Sequence, residues 1–206
     1  MRVRARVWDV AFEKLVSHVL NRLSDLMEAL SLEPRTLSSD DRVILEETIL
    51  PYLGGIKNFQ TVLFVGCAAY TQWYEKFFIG KEYWTIDYKK VKRKYGSRNH
   101  ITDSIVNLER YFSKNYFDCI IMNGVIGYGL NKASDIERAL DACFNTLDTQ
   151  GILVIGWNDS KVRMPVDIVS IEPLKKFEEH HFAPLQTCHY RTGHAAGHTF
   201  SFYRKK

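Results

Sequence analysis

Four short apolar runs along the middle of the chain constrain its fold more than any other feature of the sequence. The runs are Thr61–Val65, Tyr83–Ile86, Phe117–Met122 and Ile152–Trp157. Each run is continuous rather than alternating, which is typical of strands buried on both faces of a parallel sheet. The clearest helical periodicity, from Ser134 to Leu147, lies between the third run and the fourth. Strands that alternate with helices predict βαβ units.

Beyond the fourth run, the sequence predicts one more helix and then an antiparallel pair of strands. The helix is expected from Leu174 to His181, after Pro173, and the strands around Leu185–Tyr190 and Thr199–Tyr203. We therefore predict an α/β fold. Its core is a doubly wound, mostly parallel seven-stranded sheet with an antiparallel C-terminal hairpin at the sheet edge.

Residues 1–58 predict a helical N-terminal extension. Apolar side chains recur at helical spacing over residues 12–30, and a second helix is expected from Ser38, where a capping-box pattern begins, to about Ile49. Two helices form a poor core, so we divide the chain into this extension and a Rossmann-like domain, residues 59–206. The extension either covers a ligand cleft as a lid, or packs on the sheet or on a second copy of the chain.

Composition and charge exclude several classes of protein. A chain of 206 residues that is 46% hydrophobic and 13% aromatic can bury a core without disulfides or metal, and it is not disordered. No stretch is long and apolar enough for a membrane helix, and no secretory signal is expected. The four cysteines form no CxxC pair. We expect free thiols in a cytoplasmic protein that is a monomer or a homodimer.

The net charge of +4 is modest, but six basic residues cluster between Lys89 and Arg98. Such a patch could bind nucleic acid by neutralising phosphates. A solvated surface is the simpler interpretation, and we favour it.

The ends of the predicted strands indicate where a ligand binds. They are Gly66, Asp87, Asn123-Gly124 and Asn158-Asp159. In open α/β sheets ligands bind beyond the carboxyl ends of the strands, where the strand order reverses, so these residues are expected to converge. Asp87 lies 21 positions after Gly66, in the register in which a carboxylate accepts both hydroxyl hydrogens of a ribose.

The turn after the first run argues against a dinucleotide site. It reads Gly66-Cys67-Ala68-Ala69-Tyr70-Thr71, with a single glycine, and no phosphate-binding G-x-x-x-x-G-K-[ST] loop occurs in the sequence. S-adenosylmethionine carries no phosphate and therefore tolerates a turn with fewer glycines.

In order and spacing, residues 59–160 resemble the class I S-adenosylmethionine-dependent methyltransferases. Five segments carry the resemblance: Val62–Cys67 (motif I), Thr85–Asp87 (the ribose-binding acid), Ile101–Ser104 (beside the adenine), Phe117–Val125 (motif IV) and Leu147–Val154 (the turn and fifth strand). The Val65–Thr71 turn and the Asn123–Leu130 segment are also similar to a poorly characterised group of that superfamily.

The sequence departs from the family at motif I and in motif IV. Phe64 stands where the family has an acid, and Ala68 and Tyr70 replace glycines. Asn123-Gly124 lacks the N/D-P-P-Y/F motif of enzymes that methylate adenine or glutamine nitrogens, so that reaction is not expected.

The resemblance implies S-adenosylmethionine as cofactor and assigns its contacts. Gly66, Cys67 and Ala68 would contact the methionine part, Asp87 the ribose, Tyr88 the adenine side, Asp103 and Ser104 the adenine amino group, and Asn123 and Gly124 the region beneath the sulfonium.

The expected position of the cleft suggests residues on the acceptor side. Tyr70, Tyr128, Trp157 and Asn158 are candidates for binding the methyl acceptor, and Asp159 and His194 for removing a proton from it. We expect no metal, because Gly193 and Gly197 disfavour a helix that would align His194 with His198.

Three functions stay open from the sequence alone. The first is methyl transfer to a small molecule. The second is a non-catalytic module that binds S-adenosylmethionine or a nucleoside, suggested by Phe64 and Tyr70. The third is an RNA methyltransferase that uses the Lys89–Arg98 patch. An NAD-dependent dehydrogenase is disfavoured because the glycine loop is missing.

Overall fold

The computed structural model describes residues 39–158, 168–193 and 197–206, and also Val16, Val19 and Leu23 as single helical residues. The remainder of the predicted first helix lies outside the described residues, as do Asp159 and His194.

A sheet of eight strands forms the centre of the described fold. The strands are β1 (Thr61–Val65), β2 (Glu82–Ile86), β3 (Asn99–Ile101), β4 (Phe117–Asn123), β5 (Leu147–Asn158), β6 (Phe177–Glu179), β7 (His189–Arg191) and β8 (His198–Lys205). Their order is β3-β2-β1-β4-β5-β8-β6, with β7 also paired to β8. Strands β1 to β5 are parallel, whereas β6, β7 and β8 pair antiparallel. The predicted doubly wound α/β fold is confirmed, with one short strand more than expected.

The continuous apolar runs are explained by burial on both faces of the sheet. In β1, Leu63 and Val65 belong to one apolar cluster, whereas Val62 and Phe64 belong to the cluster on the opposite face. Helix α2 (Ala133–Thr146) buries its apolar side in the first cluster. This helix lies where the sequence predicted it.

Helix α1 covers the second face of the sheet. It is α-helical over Asp40–Ile44, π-helical over Leu45–Ile49 and α-helical again over Leu50–Gly55. The predicted end near Ile49 is wrong. Pro51 is the second residue of the α-helical part that follows the π-helical turn, a position at which the missing N–H of proline is tolerated, so the helix does not end there.

The predicted C-terminal helix, Leu174–His181, is also wrong. Glu172–Lys176 forms a 3-10 turn, and β6 follows it in antiparallel pairing with β8. Phe177 packs against Phe144 and Tyr203, so tertiary contacts outweigh the local helical pattern. The β7–β8 hairpin is confirmed, but β8 does not lie at the edge, because β5 pairs with its other side.

The connections between the first four strands differ from the helices that the sequence predicted. Each contains a 3-10 segment rather than an α-helix: Tyr74–Phe78, Lys90–Tyr95 and Ile105–Arg110. The Lys90–Tyr95 segment has few apolar residues, and Val91 is exposed, so no apolar face exists to pack a longer helix on the sheet.

Candidate functional site

A cavity of about 860 Å³ lies at the carboxyl ends of β1, β2 and β4. The strand order reverses between β1 and β4, so the cavity occupies the place where open α/β sheets bind ligands. Every residue predicted to contact the cofactor lines this cavity, and so do Tyr70 and Tyr128. They are Gly66, Cys67, Ala68, Tyr70, Asp87, Tyr88, Asp103, Ser104, Asn123, Gly124 and Tyr128.

The loop after β1 is a tight turn fixed by its own hydrogen bonds. Gly66 has φ +87°, a conformation that favours glycine, and a Cβ there would lie 3.3 Å from Val125. The backbone N–H of Cys67 donates to Asp87 Oδ2 at 2.8 Å. The N–H of Ala68 donates to the Thr71 hydroxyl at 2.9 Å. Two amides expected to face the ligand therefore already have partners within the chain.

The Asp87 carboxylate is held at the cavity by two backbone donors. Oδ2 accepts from Cys67, and Oδ1 accepts from the N–H of Lys89 at 2.8 Å. These two bonds fix the orientation of the carboxylate at the cavity, and a carboxylate accepts hydrogen bonds from hydroxyls such as those of a ribose.

Asp103 follows β3 and is fixed in the same manner. Asn107 Nδ2 donates to Oδ1 at 2.9 Å, Tyr111 Oη donates to Oδ2 at 2.8 Å, and the N–H of Ser104 donates to Oδ1 at 2.6 Å. The hydrogen bonds from Asn107, Tyr111 and Ser104 lower the pKa of Asp103 despite some desolvation. The cavity therefore has a second anchored carboxylate one strand beyond Asp87.

Tyr88 connects the loop after β2 with the loop after β4. A Cβ on Gly129 would lie 3.1 Å from Tyr88 Cε1, so glycine permits this close approach. Both residues line the cavity, and the Tyr88 side chain is largely exposed. A tyrosine in this position offers a flat surface for a base.

A chain of polar side chains links two residues of the cavity wall, Asn123 and Tyr128. It passes through His198 and Asn158 in the sheet. His198 Nε2 lies 2.9 Å from Asn123 Oδ1, and His198 Nδ1 lies 2.7 Å from Asn158 Oδ1. The Asn158 amide in turn lies 2.6 Å from the Tyr128 hydroxyl. A Cβ on Gly156 would lie 1.8 Å from Asn123 Oδ1, so the chain depends on glycine there.

Burial keeps His198 neutral near pH 7. Desolvation is the main cause, Arg42 adds to it, Asp41 opposes it, and the pKa of His198 falls to about 4. A neutral imidazole has one N–H and one lone pair, so it cannot donate to both asparagine oxygens. Rotating the side-chain amide of Asn158 by 180° exchanges its oxygen and nitrogen and removes this conflict. The Asn158 N–H then donates to His198 Nδ1, and the Asn158 oxygen faces the Tyr128 hydroxyl. His198 Nε2–H is left to donate to Asn123 Oδ1.

Arg42 lines the cavity and was missed by the sequence analysis. Its Nη1 donates to Tyr74 Oη at 2.9 Å, and its guanidinium carbon lies 4.3 Å from the centre of the Tyr70 ring. Arg42 is buried on the same face of α1 as Leu45 and Ile49. A basic residue on an otherwise apolar helix face was the available signal.

The structure does not place every candidate at the cavity. The Trp157 indole donates to Ser201 Oγ at 3.2 Å and packs with the core, and neither Trp157 nor Asn158 is among the described lining residues. Asn158 reaches the cavity through Tyr128. Tyr70 forms part of the wall rather than filling the site.

The Lys89–Arg98 patch is divided by the structure. Lys89 and Lys92 line the cavity, and Lys92 is buried, whereas the other basic residues of the patch are exposed. The cluster is therefore not a single solvated face.

Burial favours the protonated form of the Cys67 thiol. Burial and, secondarily, Asp87 raise the pKa of its thiol to about 12.

Within the described part of the chain, no group of three His, Cys, Asp or Glu side chains could hold a metal ion. No described helix is long and apolar enough to cross a membrane.

No family model and no curated protein matches this sequence. Solved structures do match the fold. NodS, an N-methyltransferase from Bradyrhizobium japonicum solved with S-adenosylhomocysteine, is 18% identical over 83% of this chain and 95% of its own, with a TM-score of 0.58. A TehB-like S-adenosylmethionine-dependent methyltransferase from Corynebacterium glutamicum is 16% identical over 94% of this chain and 100% of its own, with a TM-score of 0.59.

A third solved structure carries both a substrate and a cofactor product. It is 1,6-didemethyltoxoflavin-N1-methyltransferase from Burkholderia thailandensis, with 1,6-didemethyltoxoflavin and S-adenosylhomocysteine bound; it is 12% identical over 94% of this chain and 90% of its own, with a TM-score of 0.55. At such identities the likeness is one of fold. This chain has the fold of the class I S-adenosylmethionine-dependent methyltransferases, as the sequence predicted.

Proposed function

We propose that this protein transfers the methyl group of S-adenosylmethionine to a small-molecule acceptor. The observation that carries the proposal is the Asp87 carboxylate, which lines the cavity and is held there by the N–H groups of Cys67 and Lys89. This arrangement lies at the strand-order reversal of a methyltransferase fold. A carboxylate fixed at that point suits the two hydroxyls of a ribose.

The cavity residues fit the parts of the cofactor in sequence. Asp87 would accept hydrogen bonds from the ribose, with Tyr88 beside the adenine. Asp103 and Ser104 would lie near the adenine amino group. The methionine part would lie along the β1 loop, from Gly66 to Ala68, and the sulfonium near Asn123 and Gly124. A cavity of about 860 Å³ has room for a ligand of this size and an acceptor.

When bound, S-adenosylmethionine supplies an electrophilic methyl group on a positively charged sulfur. The task of the chain is then to orient the acceptor and to exclude water. Asn123 is placed for the first role, because His198 holds its Oδ1 and its Nδ2 is buried without a partner among the described residues. Helix α1, which brings Arg42 to the cavity wall, serves the second.

Two tyrosines of the cavity wall are our candidates for the acceptor side. Tyr128 and Tyr70 line the cavity, and we assign both to acceptor binding. For acceptors that lose a proton, Asp159 and His194 remain our candidate bases. Trp157 and Asn158 would act from outside the lining, through packing and through Tyr128.

A small acceptor agrees with the division of the basic patch. Lys89 and Lys92 line the cavity, so part of the positive charge that an RNA would need faces inward.

We propose that the protein acts in the cytoplasm, as a monomer or a homodimer. Its four cysteines are free thiols, in keeping with a reducing compartment.

Calorimetric titration with S-adenosylhomocysteine tests the proposal. We expect the wild-type protein to bind, and Asp87→Ala to weaken binding at least tenfold, because the ribose hydroxyls lose a charged acceptor. Asp141→Ala is the matched control, since Asp141 pairs with Lys176 on the surface and does not line the cavity. Its affinity should stay within twofold of wild type. Absence of wild-type binding at millimolar ligand would overturn the proposal.

A second measurement separates turnover from binding alone. The protein is incubated with radiolabelled S-adenosylmethionine and the small-molecule or RNA fraction of a cell extract. We expect label in the small-molecule fraction, lost with Asp87→Ala. Label in RNA would support the nucleic-acid alternative, and label in neither fraction would support a binding module.

A further inference from the structure

Arg42 is a buried cation at the end of the cavity formed by the β1 loop. It is 6% exposed and lines the cavity from α1. Its recorded side-chain partners are two phenols: Tyr74 accepts a hydrogen bond from Nη1, and the Tyr70 ring lies against the guanidinium. Its Nε is buried and has no hydrogen-bond partner among the described residues.

Phenols do not neutralise a guanidinium. Two carboxylates lie near the guanidinium: Glu46, which accepts from Tyr74 at 2.6 Å, and Asp41, whose charge stabilises the charged form of Arg42. A buried charge with an unsatisfied N–H is costly unless an anion completes its shell. Carboxylates match the guanidinium fork, since they accept two parallel hydrogen bonds from it.

The β1 loop itself offers few donors for such an anion. The N–H groups of Cys67 and Ala68 are taken by Asp87 and Thr71. Phe64, at the position of the family's acid, is buried edge-on against Tyr74, with ring centroids 5.3 Å apart. The charged group at the Tyr70 end of this loop is the Arg42 guanidinium. A cation there attracts the carboxylate of an amino acid and repels its ammonium group.

We propose that Arg42 binds the carboxylate of the cofactor's amino-acid part and thereby selects ligands that carry it. This inference rests on the proposed function, because it places the amino-acid part along the β1 loop. The π-helical turn over Leu45–Ile49 begins three residues after Arg42, and Tyr70 and Tyr74 both contact the guanidinium. Helix α1 thus supplies recognition that the glycine-poor loop does not.

Two ligands that differ by one carboxylate test the proposal. S-adenosylhomocysteine is compared with 5′-deoxy-5′-(3-aminopropylthio)adenosine, which keeps the adenosine, the sulfur and the amine. Both are titrated calorimetrically into wild type, Arg42→Met and Arg42→Lys. Arg98→Met is the matched control, because it removes the same charge from an exposed position outside the cavity lining. Thermal unfolding of each variant is recorded alongside.

We expect the wild-type protein and Arg98→Met to bind S-adenosylhomocysteine at least tenfold more tightly than the decarboxylated ligand. In Arg42→Met this preference should fall to within twofold, with the affinity for the decarboxylated ligand unchanged. Arg42→Lys should retain part of the preference, since it keeps the charge without the fork.

The wild-type comparison needs no variant, so the proposal stays testable even if Arg42→Met unfolds. Equal wild-type affinity for the two ligands would overturn the role of Arg42 while leaving the proposed function intact. An equal loss of both affinities in a folded Arg42→Met would also overturn it, since Arg42 would then only support the loop. Failure of the wild-type protein to bind either ligand would instead overturn the proposed function.

Discussion

The Asp87 carboxylate accepts the backbone N–H of Cys67 at 2.8 Å and so joins the ends of two neighbouring strands, β1 and β2. This contact fixes the carboxylate and the loop with one hydrogen bond, beside the strand-order reversal between β1 and β4. It also uses an amide that a more glycine-rich loop would offer to its ligand. The site therefore has a fixed carboxylate but one backbone donor fewer for a ligand, which is in keeping with the role that we propose for Arg42.

Gly156→Ala should disrupt the polar chain behind Asn123. The new Cβ would lie 1.8 Å from Asn123 Oδ1 and 2.8 Å from His198 Nε2, so both side chains must move. Overpacking of this kind costs about 1–3 kcal/mol, and we expect that loss of unfolding free energy in urea titrations. Gly55→Ala is the control, because a Cβ there meets no atom of the described part of the chain within 4 Å. Equal stability of the two variants would contradict this packing.

The buried neutral state of His198 predicts a pH-dependent stability. Its pKa is about 4 in the folded protein, against 6.5 for the ordinary side chain. Between these two pH values the unfolded chain binds more protons than the folded one, so the free energy of unfolding rises with pH. The contribution of His198 is fully present above about pH 6.5. The full difference is worth about 3 kcal/mol.

Urea unfolding at pH 5 and pH 7.5 measures this effect. The stability gained by wild type between the two pH values should exceed that of His198→Gln, which cannot titrate. His100 and His180, whose pKa values burial also lowers, are unchanged in the variant, so their contribution cancels. The same pH dependence in both proteins would show that His198 is not the group responsible.

Gly129→Ala should weaken adenosine binding without unfolding the protein. The added Cβ would lie 3.1 Å from Tyr88 Cε1 and would push the ring from its position at the cavity. We expect S-adenosylhomocysteine to bind about threefold more weakly, with an unfolding free energy within about 0.5 kcal/mol of wild type, as for other exposed sites. Gly193→Ala is the control, since a Cβ there has no neighbour within 4 Å among the residues that the structure describes. Unchanged affinity in Gly129→Ala would argue against a role for Tyr88.

The sheet and the cavity could be predicted because their signals are local. Strands buried on both faces need continuous apolar runs, and parallel strands bring their carboxyl ends to one edge, so Gly66, Asp87 and Asn123 follow from spacing alone. The predicted helix at Leu174–His181 failed because pairing of β6 with β8 depends on contacts far along the chain.

Arg42 and His198 were beyond such reasoning. The role of Arg42 depends on how α1 packs over the β1 loop, which no local pattern specifies. His198 was considered only as a possible partner of His194, whereas its position is set by the β5–β8 register, which pairs it with Asn158. Both side chains are positioned by tertiary contacts, which a single sequence does not reveal.

A crystal structure grown with S-adenosylhomocysteine tests the central claim most directly. We predict electron density for the ligand in the cavity between the β1 loop and Tyr88, with both ribose hydroxyls within about 3.2 Å of the Asp87 carboxylate oxygens. Density for the ligand elsewhere, or an adenosine whose hydroxyls do not reach Asp87, would contradict this account.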